Sequence, residues 1–111
     1  MNTKHTIKCG DIYYVNLGNY KPNIQGGKRP CIILGNKKGL NTSQICQVIP
    51  LTTAQKAQLP VHMQIKIRDT STLLIEQIQT ICKSQIGNYV TSVPDTTLEE
   101  IKKRLLVQLG L

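Results

Sequence analysis

A guanidinium carried beside two glycines is the first group in this chain with a chemistry to offer. Gln25-Gly26-Gly27-Lys28-Arg29-Pro30 runs straight into an apolar stretch, Cys31-Ile32-Ile33-Leu34. Paired glycines permit turns that a Cβ forbids and let a ligand come close to the backbone. Pro30 suits the first residue of a strand, where its missing N–H does least harm. Arg29 is therefore expected on a loop at the lip of that strand, where its forked, permanently charged donors match phosphate oxygens. Taken alone, the stretch also reads as a surface arginine beside a glycine turn, because loops collect such residues. The other polar groups in unusual settings are Thr52, Thr53, Ser71, Glu76 and Gln77, each at a strand end or inside an apolar strand. His62 is the natural acid–base candidate by its pKa, although a lone strand histidine is more often structural than catalytic.

Several other chemistries lack their residues. The chain has no G-x-x-x-x-G-K-[ST], no G-x-S-x-G and no H-E-x-x-H. Its six acidic residues form no pair at a spacing that suits a two-metal nuclease. Cys9, Cys31, Cys46 and Cys82 lie far apart with no C-x-x-C, which argues against a zinc ribbon. No metal and no cofactor is expected. Cys31, Cys46 and Cys82 fall inside apolar runs and read as small buried thiols.

With 111 residues the chain is expected to form one domain, residues 1–111, burying roughly 65% of its unfolded surface. Without Trp or Phe and with only four Tyr, the core must be aliphatic. Fourteen Lys and Arg against six Asp and Glu leave a net charge of +8, which points to a polyanionic partner, nucleic acid or an acidic protein tail. The opening residues contain no apolar signal segment and no run is long enough to span a bilayer, so a reducing cytoplasm and no membrane partner are expected.

The elements that must hold these side chains are mostly strands. Asp11–Leu17, between Gly10 and Gly18, reads as the first, and 18–28 as a polar loop. Cys31–Leu34 is the second, apolar enough to be buried on both faces, followed by a basic, turn-prone loop over Gly35–Asn41. Ile45–Leu51 is the third. Leu59–Ile67 alternates Val61, Met63, Ile65 and Ile67 with His62, Gln64 and Lys66, a strand with one wet face. Leu73–Ile81 reads as a fifth, long strand with Glu76 and Gln77 in its middle. The period then changes: Leu98, Ile101, Leu105 and Leu109 recur at helical spacing, with Asp95, Thr96 or Thr97 as cap and Gly110 as stop. Five short strands and a closing helix predict a mainly β fold, a small, mostly antiparallel barrel.

Five motifs in order carry a resemblance. Gly10-Asp11-Ile12-Tyr13, Gln25-Gly26-Gly27-x-Arg29-Pro30, Pro50-Leu51-Thr52, Leu59-Pro60-Val61-His62 and Leu74-Ile75-Glu76-Gln77-Ile78-Gln79-Thr80-Ile81-Cys82-Lys83-Ser84 together resemble the MazF/PemK-type toxin family over nearly the whole chain. The resemblance implies a C-terminal helix on an SH3-like (MazF/PemK/CcdB-type) barrel, a homodimer, and metal-independent, sequence-selective cleavage of single-stranded RNA. It implies inhibition by a cognate MazE-like antitoxin with an acidic, partly disordered tail. It carries the catalytic roles onto Arg29 and Thr52, with Thr53 as the alternative one residue on. RNA binding falls to Gln25, Gly27, Lys28, Thr53, Ser71, Glu76 and Gln77. The chain departs from the family pattern at Ile24, where Glu is common, and at Gln79 and Gln85, where Arg is common.

RNA brings its own nucleophile, the 2′-OH, so cleavage needs neither bound water nor metal. Arg29 would stabilise charge on the phosphorane-like transition state, and the Thr52 hydroxyl would hold a further oxygen or relay a proton. Neither suits general-base work near neutrality. The sequence leaves the base open among Arg29, Thr52, His62 and Glu76. Two other functions fit parts of the chain: a non-catalytic basic barrel that holds RNA or protein, and a gyrase-poisoning toxin of the same fold. The second resembles relatives ending in Trp-Gly-Ile, whereas this chain ends Leu109-Gly110-Leu111 and has no Trp.

Overall fold

Alternating burial along β-rich segments produces one antiparallel sheet that is apolar on both faces. The computed structural model of the chain describes residues 6–53 and 62–111. Among them run β1 (Asp11–Asn16), β2 (Lys28–Leu34), α1 (Lys37–Thr42), β3 (Ile45–Thr52), β4 (Met63–Lys66), β5 (Thr70–Leu73), β6 (Gln79–Cys82), β7 (Ile86–Ser92) and α2 (Asp95–Leu109). The sheet order is β4-β5-β3-β2-β1-β7, with β6 also paired to β3, so the sheet curls into a half-barrel. Two aliphatic clusters lie on its two faces. Ile12, Ile32, Ile49, Leu51, Leu73, Ile75 and Ile101 form one, covered by α2. Tyr13, Val15, Cys31, Ile33, Leu40, Cys46, Val48 and Ile81 form the other. Consecutive residues of β2 enter opposite clusters, which accounts for its unbroken apolar sequence.

The structure departs from the sequence-based expectations at definite places. The expected fifth strand, Leu73–Ile81, is broken: β5 ends at Leu73, a 3-10 turn spans Ile75–Gln77, and β6 begins at Gln79. Leu73, Leu74 and Ile75 are all fully buried, which a strand with two distinct faces does not explain but a turn into the core does. The turn falls where β3 changes partner, from β5 at Leu51 and Thr52 to β6 at Ile45–Val48. Glu76 and Gln77 are therefore turn residues. Most of the expected loop Gly35–Asn41 belongs to α1, whose start is capped by the Asn36 side chain accepting from Gly39 N at 2.8 Å, and which buries Leu40. β7 has no counterpart among the expected strands, because Ile86–Ser92 buries no residue fully and shows weak alternation. Of the expected strand Leu59–Ile67, residues 59–61 lie outside the described residues, and β4 covers only Met63–Lys66.

The closing helix is where its periodicity places it. Ile101 is buried, and Leu98 and Leu105 pack on the first cluster. The threonine caps are not used: α2 follows Pro94, whose carbonyl accepts from Thr97 N and Leu98 N, and no side-chain cap bond forms. Gly110 ends it in the left-handed region at φ 72°. Leu106 and Leu109 stay exposed. Cys31 and Cys46 are buried as expected, but Cys82 is exposed, because alternation in β6 turns Ile81 inward and its neighbours outward.

Candidate active site

Strand β2 begins three residues earlier than its apolar run, and this decides where Arg29 sits. The β1–β2 ladder continues through Val15–Arg29 to Asn16–Lys28, so Arg29 is a half-buried strand residue and Pro30 is interior to the strand rather than its first residue. Pro30 is tolerated because the ladder to β3 starts only at Cys31–Pro50, leaving no partner there for a proline N–H. The hairpin is prolonged by Leu17 N donating to Gly27 O and Gly27 N to Gly18 O, both 2.8 Å.

The glycine loop is packed against itself. A Cβ on Gly26 would lie 2.9 Å from Asn19 O and from Tyr20 Cα, and Gly27 has φ 72° with the Tyr20 hydroxyl directly over it. Gly26 O accepts a 2.9 Å hydrogen bond from Arg29 Nε. That bond fixes the plane of the guanidinium while its Nη1 and Nη2 groups bond no other described residue. The arginine charge is felt by its neighbour: burial pushes the Cys31 thiol up to about 12, against the opposing pull of Arg29.

Thr52 is buried at the end of β3. The β2–β3 register is Cys31–Pro50, Ile32–Ile49, Ile33–Val48 and Leu34–Gln47. Arg29 and Thr52 each lie two residues past the last pair of that ladder, Cys31–Pro50, at the same end of the two strands, and by strand alternation they belong with Cys31 and Val48 on the face of the second cluster. Thr53 and Pro30 fall on the other side. There, with Ser71, they line an open cleft of about 850 Å³ between β4 and β7, the two ends of the sheet. The cleft also carries Tyr14, Tyr89, Lys66 and Arg68. The sequence-predicted residues thus divide between two places: Thr53 and Ser71 line the cleft, while Arg29, Thr52, Gln25, Gly27, Lys28, Glu76 and Gln77 are not among its lining residues.

Glu76 and Gln77 reach in different directions from their turn. Gln77 Oε1 accepts from Gln25 N at 2.7 Å, and Gln77 Nε2 donates to Asn23 O at 3.2 Å. Glu76 Oε2 lies 2.9 Å from His62 Nε2, and Glu76 Oε1 is buried with no partner among the described residues. His62 is buried just before β4 instead of on a strand face, and its carbonyl accepts from Arg104 Nη1 of α2. Among the departures from the family pattern, Ile24 is half exposed. Gln85 ties its own turn to the end of β1, donating to Asn16 O at 2.7 Å and accepting from Cys82 N at 2.8 Å. Gln79 Nε2 donates to Gln77 O at 3.4 Å. The described residues contain no group of three or more His, Cys, Asp or Glu that could hold a metal ion.

The family model for PemK-like, MazF-like toxins of type II toxin–antitoxin systems matches residues 8–109. The chain belongs to that family. The endoribonuclease EndoA of Bacillus subtilis (strain 168) is 32% identical to it over 111 residues, covering 95% of this chain and 96% of that one. An endoribonuclease from a mycobacterial species, solved in complex with its cognate antitoxin, matches with a TM-score of 0.76 at 25% identity, covering 100% of this chain and 97% of its own. The MazF crystal structure from Deinococcus radiodurans superposes at TM-score 0.84 over 97% of this chain and 100% of its own; at 19% identity it supports the fold. In this family member Asp11, from the first motif, is buried and structural. Its carboxylate accepts from Lys8 N at 3.0 Å and from Ser92 Oγ at 2.7 Å, and Ser92 is joined to Tyr89 OH at 2.8 Å. No local pattern signals the Gln77 and Glu76 contacts; only the paired glycines hint at the close packing with Asn19 and Tyr20.

Proposed function

We propose that the chain is the toxin of a type II toxin–antitoxin system, an endoribonuclease that cleaves single-stranded RNA at selected sequences without a metal ion and is inhibited by a cognate antitoxin. Family membership and the endoribonuclease relative support the reaction class. The single observation that carries the mechanism is Arg29, its guanidinium plane fixed by Gly26 O and its Nη groups bonding no other described residue, at the same end of the β2–β3 ladder as Thr52. The 2′-oxygen attacks the adjacent phosphorus and the P–O5′ bond breaks, leaving a 2′,3′-cyclic phosphate, or the 3′-phosphate from its hydrolysis, and a 5′-OH. The 2′-OH loses its proton and the departing 5′-oxygen gains one. Arg29 holds the phosphoryl oxygens as their charge grows, and Thr52 contributes its hydroxyl. A homodimer and an acidic antitoxin tail suit the net charge of +8 and the apolar residues left exposed at the end of α2. No helix among the described residues is long and apolar enough to cross a membrane; the cytoplasm is the proposed compartment.

The test is cleavage of a long unstructured RNA in EDTA, with 5′-ends mapped. Arg29→Ala and Thr52→Ala should each lower the rate at least a hundredfold in folded protein, roughly the scale of losing a positioned transition-state donor. Salt-sensitive binding without products would instead make the protein a basic RNA binder.

A further inference from the structure

We infer that Gln77 is a positioning residue that aims Arg29, rather than a reader of RNA bases. The inference rests on the nuclease function proposed above and concerns how its arginine is held. A primary amide offers a donor and an acceptor side by side, and both groups of Gln77 engage the glycine loop: Oε1 accepts from Gln25 N, and Nε2 donates to Asn23 O. Gln77 thus ties down two points of that loop, two residues apart, across 52 and 54 residues of chain.

The grip reaches the arginine through one residue. Gln25 is followed by Gly26, whose carbonyl accepts from Arg29 Nε. Asn23 sits at φ 63°, a left-handed conformation that costs free energy unless its surroundings hold it, and Gln77 bonds to its carbonyl.

Gln77 can hold the loop because its own turn is fixed. Ile75 is fully buried in the cluster that α2 covers, Leu74 N donates to Pro50 O at 3.0 Å, and Gln77 N donates to Leu74 O at 2.9 Å. Pro50 lies on β3 two residues before Thr52. One short turn is therefore tied both to the strand that ends in Thr52 and to the loop that orients Arg29.

The test uses full-length wild type, Gln77→Leu and Gln77→Ala, with single-turnover cleavage, 5′-end mapping, thermal melting and amide hydrogen exchange at Gln25. A positioning role predicts that both variants lower kcat roughly a hundredfold, the scale of a misaimed catalytic group. KM should stay within about twofold, the cleaved sequence should be unchanged, and protection of the Gln25 amide should be lost. Unchanged kcat with a raised KM or an altered cleaved sequence would make Gln77 a base reader and overturn the inference. So would a Gln25 amide that exchanges as slowly in the variants as in wild type. Should wild type itself fail to cleave, the nuclease function falls, and the exchange result alone then decides whether Gln77 holds the loop.

Discussion

Replacing Gly26 by alanine puts a methyl group where the chain has no room, and the consequence can be traced atom by atom. The new Cβ would stand 2.9 Å from Asn19 O and Tyr20 Cα and 3.0 Å from Asn19 C. All three are backbone atoms, so no side chain can rotate away. Reaching ordinary contact needs a displacement of about half an ångström, an overpacking cost on the order of 1–3 kcal/mol. The same peptide carries Gly26 O, and moving it by that amount lengthens the 2.9 Å bond to Arg29 Nε to about 3.4 Å, past the usual range of about 2.7–3.2 Å, and weakens it. The guanidinium then loses the contact that sets its plane, and the expected fall in cleavage rate is roughly tenfold to a hundredfold. Gly110→Ala is the control. Gly110 also has φ 72°, but a Cβ there meets nothing within 4 Å, so it should cost about 1 kcal/mol of backbone strain and leave cleavage intact. Stability from urea melts and rates from single-turnover cleavage separate the two effects. A folded Gly26→Ala protein that cleaves as fast as Gly110→Ala would refute the claim that close loop packing aims Arg29.

Two further outcomes probe stability. Asp11→Ala strands the Lys8 amide and the Ser92 hydroxyl beside the β1–β7 edge, and should cost about 2–4 kcal/mol in urea denaturation with the m-value unchanged; a loss under about 1 kcal/mol would show the carboxylate to be dispensable. Burial raises the Cys31 thiol from 9.0 to about 12, so the native state holds that proton more tightly than the unfolded chain does. Its contribution is complete below about pH 9 and is lost as pH rises towards 12, at up to about 1.4 kcal/mol per pH unit. Tyr13, raised to about 12 by burial and then by the Asp11 charge, adds to the same alkaline slope. Cys31→Ala should flatten the fall in stability between about pH 9 and 10.5, and an unchanged slope would contradict the assignment.

Much of the fold is legible in the order of the residues. The period-two runs, the aliphatic composition and the helical spacing of Leu98, Ile101 and Leu105 report burial locally, so they mark β1 to β4 in part, the core and α2. The five ordered motifs mark the family. Local signals mislead where a tertiary demand overrides them. Leu73–Ile81 has strand composition throughout, yet β3 must pass from β5 to β6, and the chain turns at Ile75–Gln77 to let it. Asn36 and Leu40 are signs of α1, but Gly39 between them weakens the pattern.

Residue order alone marks the candidate groups for the proposed RNA chemistry: an arginine after two glycines, a threonine at a strand end, and Glu76 with Gln77. What each of them touches is a property of the folded chain. The β2–β3 ladder brings Arg29 and Thr52 to the same end of the sheet, two residues past Cys31–Pro50, and strand alternation divides Thr52 from Thr53 between its two faces. The turn at Ile75–Gln77 brings Gln77 onto a loop 52 residues away. Local sequence carries no record of such pairings, because burial and turn preference belong to a residue and its neighbours, whereas register is settled only when the whole sheet closes.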